Sequence, residues 1–115
     1  MREELSTLPV TVEQDEAGNL WAYLKGQSPD TVVVGSHLDS VANGGNFEGA
    51  AGVVAGLVAM RALQALGIAP ACDVTTIALR AEESVWFEVY YIGRRAAFGV
   101  LPDGAHEVRS VDACP

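Results

Sequence analysis

The stretch TVVVGSHLDS (Thr31 to Ser40), followed by AAGVVAGLVAMRALQAL (Ala50 to Leu66) and DVTTIALRAEE (Asp73 to Glu83), decides the fold. TVVVG is a continuous apolar run after Ser28-Pro29-Asp30, and a run without alternation fits a strand covered on both faces, hence a central strand of an α/β sheet. Gly49 to Gly67 is apolar almost all round, broken by Arg61 and Gln64, with a glycine at its stop; this predicts a buried helix. Asp73 to Arg80 is rich in β-branched residues and predicts a second strand. Strand, helix and strand in this order make a βαβ unit with a right-handed crossover. Working outward, Pro9 to Gln14 and Leu20 to Lys25 flank the turn formers Asp15-Glu16-Ala17-Gly18-Asn19 and read as a hairpin. Glu88 to Gly99 predicts one more helix, while Leu101 to Pro115 shows no periodicity. The fold class expected is α/β, a mixed sheet containing a βαβ unit.

With 115 residues, 50% of them hydrophobic and 19% charged, the chain has apolar material for one domain and is not expected to be disordered. Fifteen acidic residues against seven basic ones give a net charge of -8, and the basic residues are scattered. Binding to a phosphate backbone needs clustered Lys and Arg, so nucleic acid is set aside as a partner. The longest uncharged apolar run, Gly49 to Met60, would reach about 18 Å as a helix against a hydrocarbon core of roughly 30 Å, so no membrane partner is expected. The start, Met1-Arg2-Glu3-Glu4, is acidic and runs into no apolar segment of the secretory kind, which suggests a cytoplasmic protein. Cys72 and Cys114 have no CxxC spacing and read as two ordinary thiols. His37 and His106 are the histidines available, so one copy cannot complete a centre built from several imidazoles.

In open α/β sheets ligands gather at the carboxyl ends of the strands, and two groups of metal-capable residues fall there. His37 and Asp39 follow TVVVG, and alternation would turn them to one side, where a carboxylate can orient an imidazole. Glu82 and Glu83 follow DVTTIALR. Between them, Asn43 to Gly49 brings Glu48 to the start of the helix, where the macrodipole favours negative charge. Taken singly, H-x-D after a strand fits a structural role, paired glutamates fit a solvated loop, and Glu48 fits a dipole contact. The glycines do not make a phosphate cradle, since neither G-K-[ST] nor G-x-G-x-x-G occurs.

Taken together, GNLWAYLKG, VVVGSHLDSVANGGNFEGAAGVVAGLVAMRAL, IALRAEESVWF and YIGRRAAFG form an ordered signature over about residues 15 to 100. It resembles the N-terminal catalytic segment of the peptidase M20-type zinc metallohydrolases, in the branch of the N-carbamoyl-L-amino-acid hydrolases, allantoate amidohydrolases and β-ureidopropionases. The resemblance implies hydrolysis of linear C–N bonds in N-carbamoyl or ureido small molecules, with a divalent metal (Zn, Mn or Co). It implies His37 as a metal ligand, Asp39 as the catalytic aspartate beside it, Glu82 as the general base and Glu83 as a further ligand. The family's bridging aspartate falls on Glu48, a glutamate with one extra methylene, and Arg94 stands where the family has a small serine after the glycine.

Members of that family are several times this length, with a lid or dimerisation domain and two further histidine ligands downstream. Residues 1–115 therefore read as a single partial catalytic domain, short of ligands, which binds metal weakly or not at all. The rival reading is a non-catalytic α/β fragment that serves as a binding or oligomerising module. Either way uncovered apolar surface suggests a homo-oligomer or a missing partner chain, with Val53, Leu57, Met60 and the Trp86-Phe87 pair as its expected contact residues.

Overall fold

The computed structural model describes residues 10–107 except 84, 86 and 88, together with residue 109. Its elements are β1 (Thr11–Gln14), β2 (Leu20–Leu24), β3 (Thr31–His37), α1 (Ala50–Ala65), β4 (Asp73–Leu79), α2 (Ile92–Ala97) and a 3-10 turn, Ala105–Glu107. The four strands form one mixed sheet in the order β1-β2-β4-β3. β1 and β2 are the expected hairpin, antiparallel with Thr11 opposite Tyr23, and β2 continues antiparallel onto β4. β3 and β4 are parallel, Thr31 opposite Asp73 through His37 opposite Leu79, so the βαβ unit is present. The start of the predicted first strand, Pro9, lies outside the described residues.

The central position belongs to β4, whose Thr75 to Ala78 are all buried, and not to β3. β3 is an edge strand, with Val32, Val33 and Val34 left 50%, 53% and 39% exposed. Its uninterrupted apolar run encodes two-sided cover, and among the described residues only α1 packs beside it. The expectation of a central strand over TVVVG is therefore corrected.

Among the described residues α1 is likewise covered on one side only. Val53, Gly56 and Met60 face the sheet, while Val54, Val58 and Leu66 on the opposite side are exposed. The contact residues expected from sequence, Val53 and Met60, are thus core residues, Leu57 is half-buried against them, and Trp86 lies outside the described residues. Close approach is achieved with small residues: a Cβ on Gly52 would sit 2.6 Å from Ser36 Cβ, and one on Gly56 would sit 2.7 Å from the Thr76 side chain. Met60 and Ala22 centre the small core, joined by Val10, Val12, Leu24, Leu57 and Val74. No helix of the described residues is long and apolar enough to cross a membrane.

The predicted helix over Glu88 to Gly99 is shorter, starting at Ile92. Tyr91 has φ 57°, a left-handed conformation that cannot continue a right-handed helix backwards. Arg94, which stands where the family has a small serine, is exposed on this helix and lies over the Tyr91 ring, 4.0 Å from its centroid, so the larger side chain is accommodated outside the packed turn. The tight position is its neighbour Gly93, buried against the backbone of Arg80.

Candidate metal centre

β3 runs two residues further than TVVVG, so His37 is its last residue and its side chain is directed by the pleat. The imidazole is only 14% exposed. Its Nδ1 lies 2.7 Å from the main-chain oxygen of Asp39. A carbonyl can only accept, so Nδ1 is the donor here and Nε2 is the ring nitrogen turned into the site. The orienting group is therefore the Asp39 carbonyl and not its carboxylate, which stands 3.9 Å from Nδ1.

The Asp39 carboxylate is committed elsewhere. It accepts the backbone N–H of Glu82 at 3.1 Å through Oδ1 and that of Glu83 at 2.8 Å through Oδ2. One residue thus aligns the imidazole at the end of β3 with the two glutamates beyond the end of β4. Parallel pairing puts these two strand ends side by side, which is why positions so distant in sequence meet.

Glu48 completes the group. It sits just ahead of Gly49, the N-cap of α1, but makes no capping hydrogen bond; its Oε1 turns to His37 Nε2 at 3.3 Å. Glu83 Oε1 is 4.0 Å from the same nitrogen. One ligand atom from each of His37, Glu82 and Glu83 can be chosen so that all lie within 4.8 Å of one another. Glu82, expected as a base, is thus as close to the imidazole and Glu83 as a ligand would be.

The electrostatics of this cluster are unfavourable as they stand. Partial desolvation, a hydrogen bond to Glu48 and repulsion from the Glu48 and Glu82 carboxylates raise the Glu83 carboxyl above its ordinary value, with His37 opposing. Glu48 Oε2 is buried and has no hydrogen-bond partner among the described residues. A buried carboxylate oxygen without a donor is costly, and a divalent cation supplies what it lacks. Carboxylates with an imidazole are donors suited to such an ion, so the residues present fit one.

Two contributors escaped the sequence reading. Gly49 has φ 69°, and a Cβ there would lie 2.6 Å from both Cε1 and Nδ1 of His37, so the helix can start against the imidazole only with glycine. Asn19, read as a turn former, is wholly buried and bonded to the backbone of Arg80 at the end of β4. The sequence signal was the position of a glycine directly before a helix and an asparagine directly before a strand, which many turns share. The side chain of His106, the other histidine, lies outside the described residues.

A model of peptidase family M28 matches residues 19–107. The chain belongs to this family. The M28 description differs from the M20-type label suggested by the motifs, but the relatives lie in the expected branch. An N-carbamoyl-L-amino acid amidohydrolase of Geobacillus stearothermophilus is 41% identical over 103 residues, covering 88% of this chain and 25% of that protein. An allantoate amidohydrolase of Bacillus subtilis is 36% identical over 105 residues, covering 90% of this chain and 26% of its own length. A crystal structure of a hydantoinase/carbamoylase family amidase from Burkholderia ambifaria superposes with a TM-score of 0.87 at 31% identity, over 97% of this chain and 28% of that one. The chain thus spans about a quarter of the length of the relatives it matches.

Proposed function

We propose that this member of the M28 family supplies the N-terminal half of a metal-dependent amidohydrolase site, acting on linear C–N bonds of N-carbamoyl amino acids or ureido compounds. The observation that carries the reading is the meeting of His37 Nε2, Glu48 with its orphaned Oε2, and Glu83 at the ends of β3 and β4. His37, Glu48 and Glu83 would hold a divalent ion (Zn, Mn or Co), which when bound acidifies water and polarises a carbonyl. Glu82 would be the general base, held at the site through its backbone N–H by Asp39. Asp39 would act through the groups it aligns. Substrates of this kind are what the named relatives act on. A cytoplasmic location goes with the low cysteine content.

Ligands from outside these residues, on the same chain or on an associated copy, would complete the centre, since the family resemblance implies two further histidines and His37 is the one imidazole in the cluster among the described residues. The exposed Val54, Val58 and Leu66 on α1 and the valines of β3 favour such association. The direct test is calorimetric titration of the chain with Zn²⁺ and Mn²⁺, alongside His37→Ala and Glu83→Gln. Saturable binding lost in both variants supports the reading; binding that survives both defeats it. Release of ammonia or free amino acid from N-carbamoyl amino acids then tests the activity.

A further inference from the structure

We propose that Asn19 is a positioning residue that fixes the direction of Glu82 and Glu83 through the turn Arg80-Ala81; the inference rests on the metal-hydrolase reading above. Asn19 is far from the cluster in sequence and belongs to the hairpin, yet it is wholly buried and both polar atoms of its carboxamide are hydrogen-bonded. Oδ1 accepts the backbone N–H of Arg80 at 2.9 Å, and Nδ2 donates to Asp15 Oδ2 at 2.8 Å and to the carbonyl of Gly93 at 2.9 Å. Two of these three bonds leave the hairpin altogether.

The bonds to Arg80 and Gly93 close a ring of backbone contacts around the turn. Gly93 N–H donates to the Arg80 carbonyl at 3.0 Å, and Ile92 N–H to the Ala81 carbonyl at 3.1 Å. Ala81 is 6% exposed and has φ 51°, a left-handed conformation unusual for a residue with a Cβ. Such conformations persist where the surroundings over-determine them. Asn19 and α2 grip the turn from one side, and Asp39 grips the next two amides from the other. Residues 80 to 83 therefore each have a backbone group held from outside the turn, and the carboxylates of Glu82 and Glu83 leave it in a set direction before any ion arrives.

A hairpin residue could make the same contacts for stability alone, and Asp15 separates the two roles. Its carboxylate accepts from Asn19 N–H, Asn19 Nδ2 and Trp21 Nε1, all within the hairpin. Asp15→Ala thus loosens the hairpin while leaving the Asn19 bonds to Arg80 and Gly93 in place. Asn19→Ala removes both.

The experiment is a Co²⁺ titration of the full chain, with visible absorption reporting coordination geometry and thermal unfolding recorded for each variant. Asp15→Ala is expected to unfold at lower temperature and still bind Co²⁺ within about twofold of wild type. Asn19→Ala is expected to weaken binding by about tenfold or more and to change the absorption band, the size of effect that outer partners of metal ligands produce. A folded Asn19→Ala with unchanged affinity and spectrum overturns the inference, as does an Asp15→Ala that weakens binding equally. Hydrogen exchange of the Arg80 amide in wild type needs no variant: slow exchange before and after Zn²⁺ addition is expected, and fast exchange in the metal-free chain overturns the inference. Wild type that binds no Co²⁺, or His37→Ala that binds as tightly, overturns the metal reading and this inference with it.

Discussion

Gly49→Ala should damage both the fold and the candidate site, and the structure allows the two costs to be separated. With φ 69° and ψ -58° the backbone lies outside the left-handed helical well and close to the strained γ-turn conformation, which costs about 1–3 kcal/mol for a residue with a Cβ. Its Cβ would also lie 2.6 Å from Cε1 and Nδ1 of His37 and 2.8 Å from the His37 carbonyl oxygen. The imidazole is tied by its 2.7 Å bond to Asp39 and cannot swing clear without breaking it. Clearing a clash of this kind typically adds about 1–3 kcal/mol, for a total of about 2–6 kcal/mol, and a small domain loses roughly 4–8 °C of melting temperature per kcal/mol, so a fall on the order of 10–50 °C is expected. Gly45→Ala is the matched control, since Gly45 has φ 88° but nothing within 4 Å of its Cβ. It should show the backbone cost alone and leave Zn²⁺ affinity unchanged. Thermal unfolding and zinc titration of both variants decide the matter. Equal stability losses and equal zinc affinities would refute the idea that this glycine exists to seat His37.

Asp39→Ala leaves the amides of Glu82 and Glu83 without their acceptor; hydrogen bonds to charged groups contribute about 1.5–3 kcal/mol each, so denaturant titration should show a loss of a few kcal/mol, and metal affinity should fall with it. The raised pKa of Glu83 means that the folded metal-free chain holds its proton to higher pH than the unfolded chain does, so stability should decline as pH rises from about 4.5 upward. Glu48→Gln should flatten that decline in a pH series of melting temperatures, and a decline unchanged in the variant would show that Glu48 is not its source. Asp15, lowered below 3.8 because hydrogen bonds from Trp21 and Asn19 outweigh its partial burial, should do the opposite, its contribution being lost as pH falls through that range. Light scattering at micromolar concentration should show association that Val54→Lys with Val58→Glu reduces, and a clean wild-type monomer would remove the argument from exposed valines.

Where local pattern and tertiary role agree, the sequence was legible. The hairpin, the βαβ order and the strand-end location of His37, Glu82 and Glu83 follow from apolar runs, turn formers and the preference of ligands for the carboxyl ends of strands. For Glu48, its position before a helix suggested only a dipole contact and the resemblance alone assigned it to the metal; in the fold its Oε1 faces His37. Asp39 was read as the partner of an imidazole, and pattern alone could not show that its carbonyl does that work while its carboxylate holds two amides from the other strand end. Such a division of labour depends on β3 and β4 being parallel and in register, a fact of tertiary structure. β3 and α1 were read as doubly covered because apolar content reports the cover a segment is suited to and carries no information on what supplies it.

That mismatch bears on how the cluster works. Arg80 directs Nη1 at the Ala17 carbonyl, 3.4 Å away, and Arg94 spends its charge on the Tyr91 ring. Lys25 pairs with Asp73 at the opposite end of β4. Three glutamates and one imidazole thus converge while these cations are engaged elsewhere, and the Asp39 carboxylate beside them is held by backbone amides, which bring no net charge. Repulsion among Glu48, Glu82 and Glu83 is held in place by the strand register, by the left-handed turn at Ala81 and by the glycine under His37. A fold that sought only its own stability would place a lysine or arginine in such a gap, since an unpaired buried carboxylate oxygen gains nothing from its neighbours. The backbone instead keeps the gap open and acidic, which is the arrangement a divalent cation requires and a protein side chain would spoil.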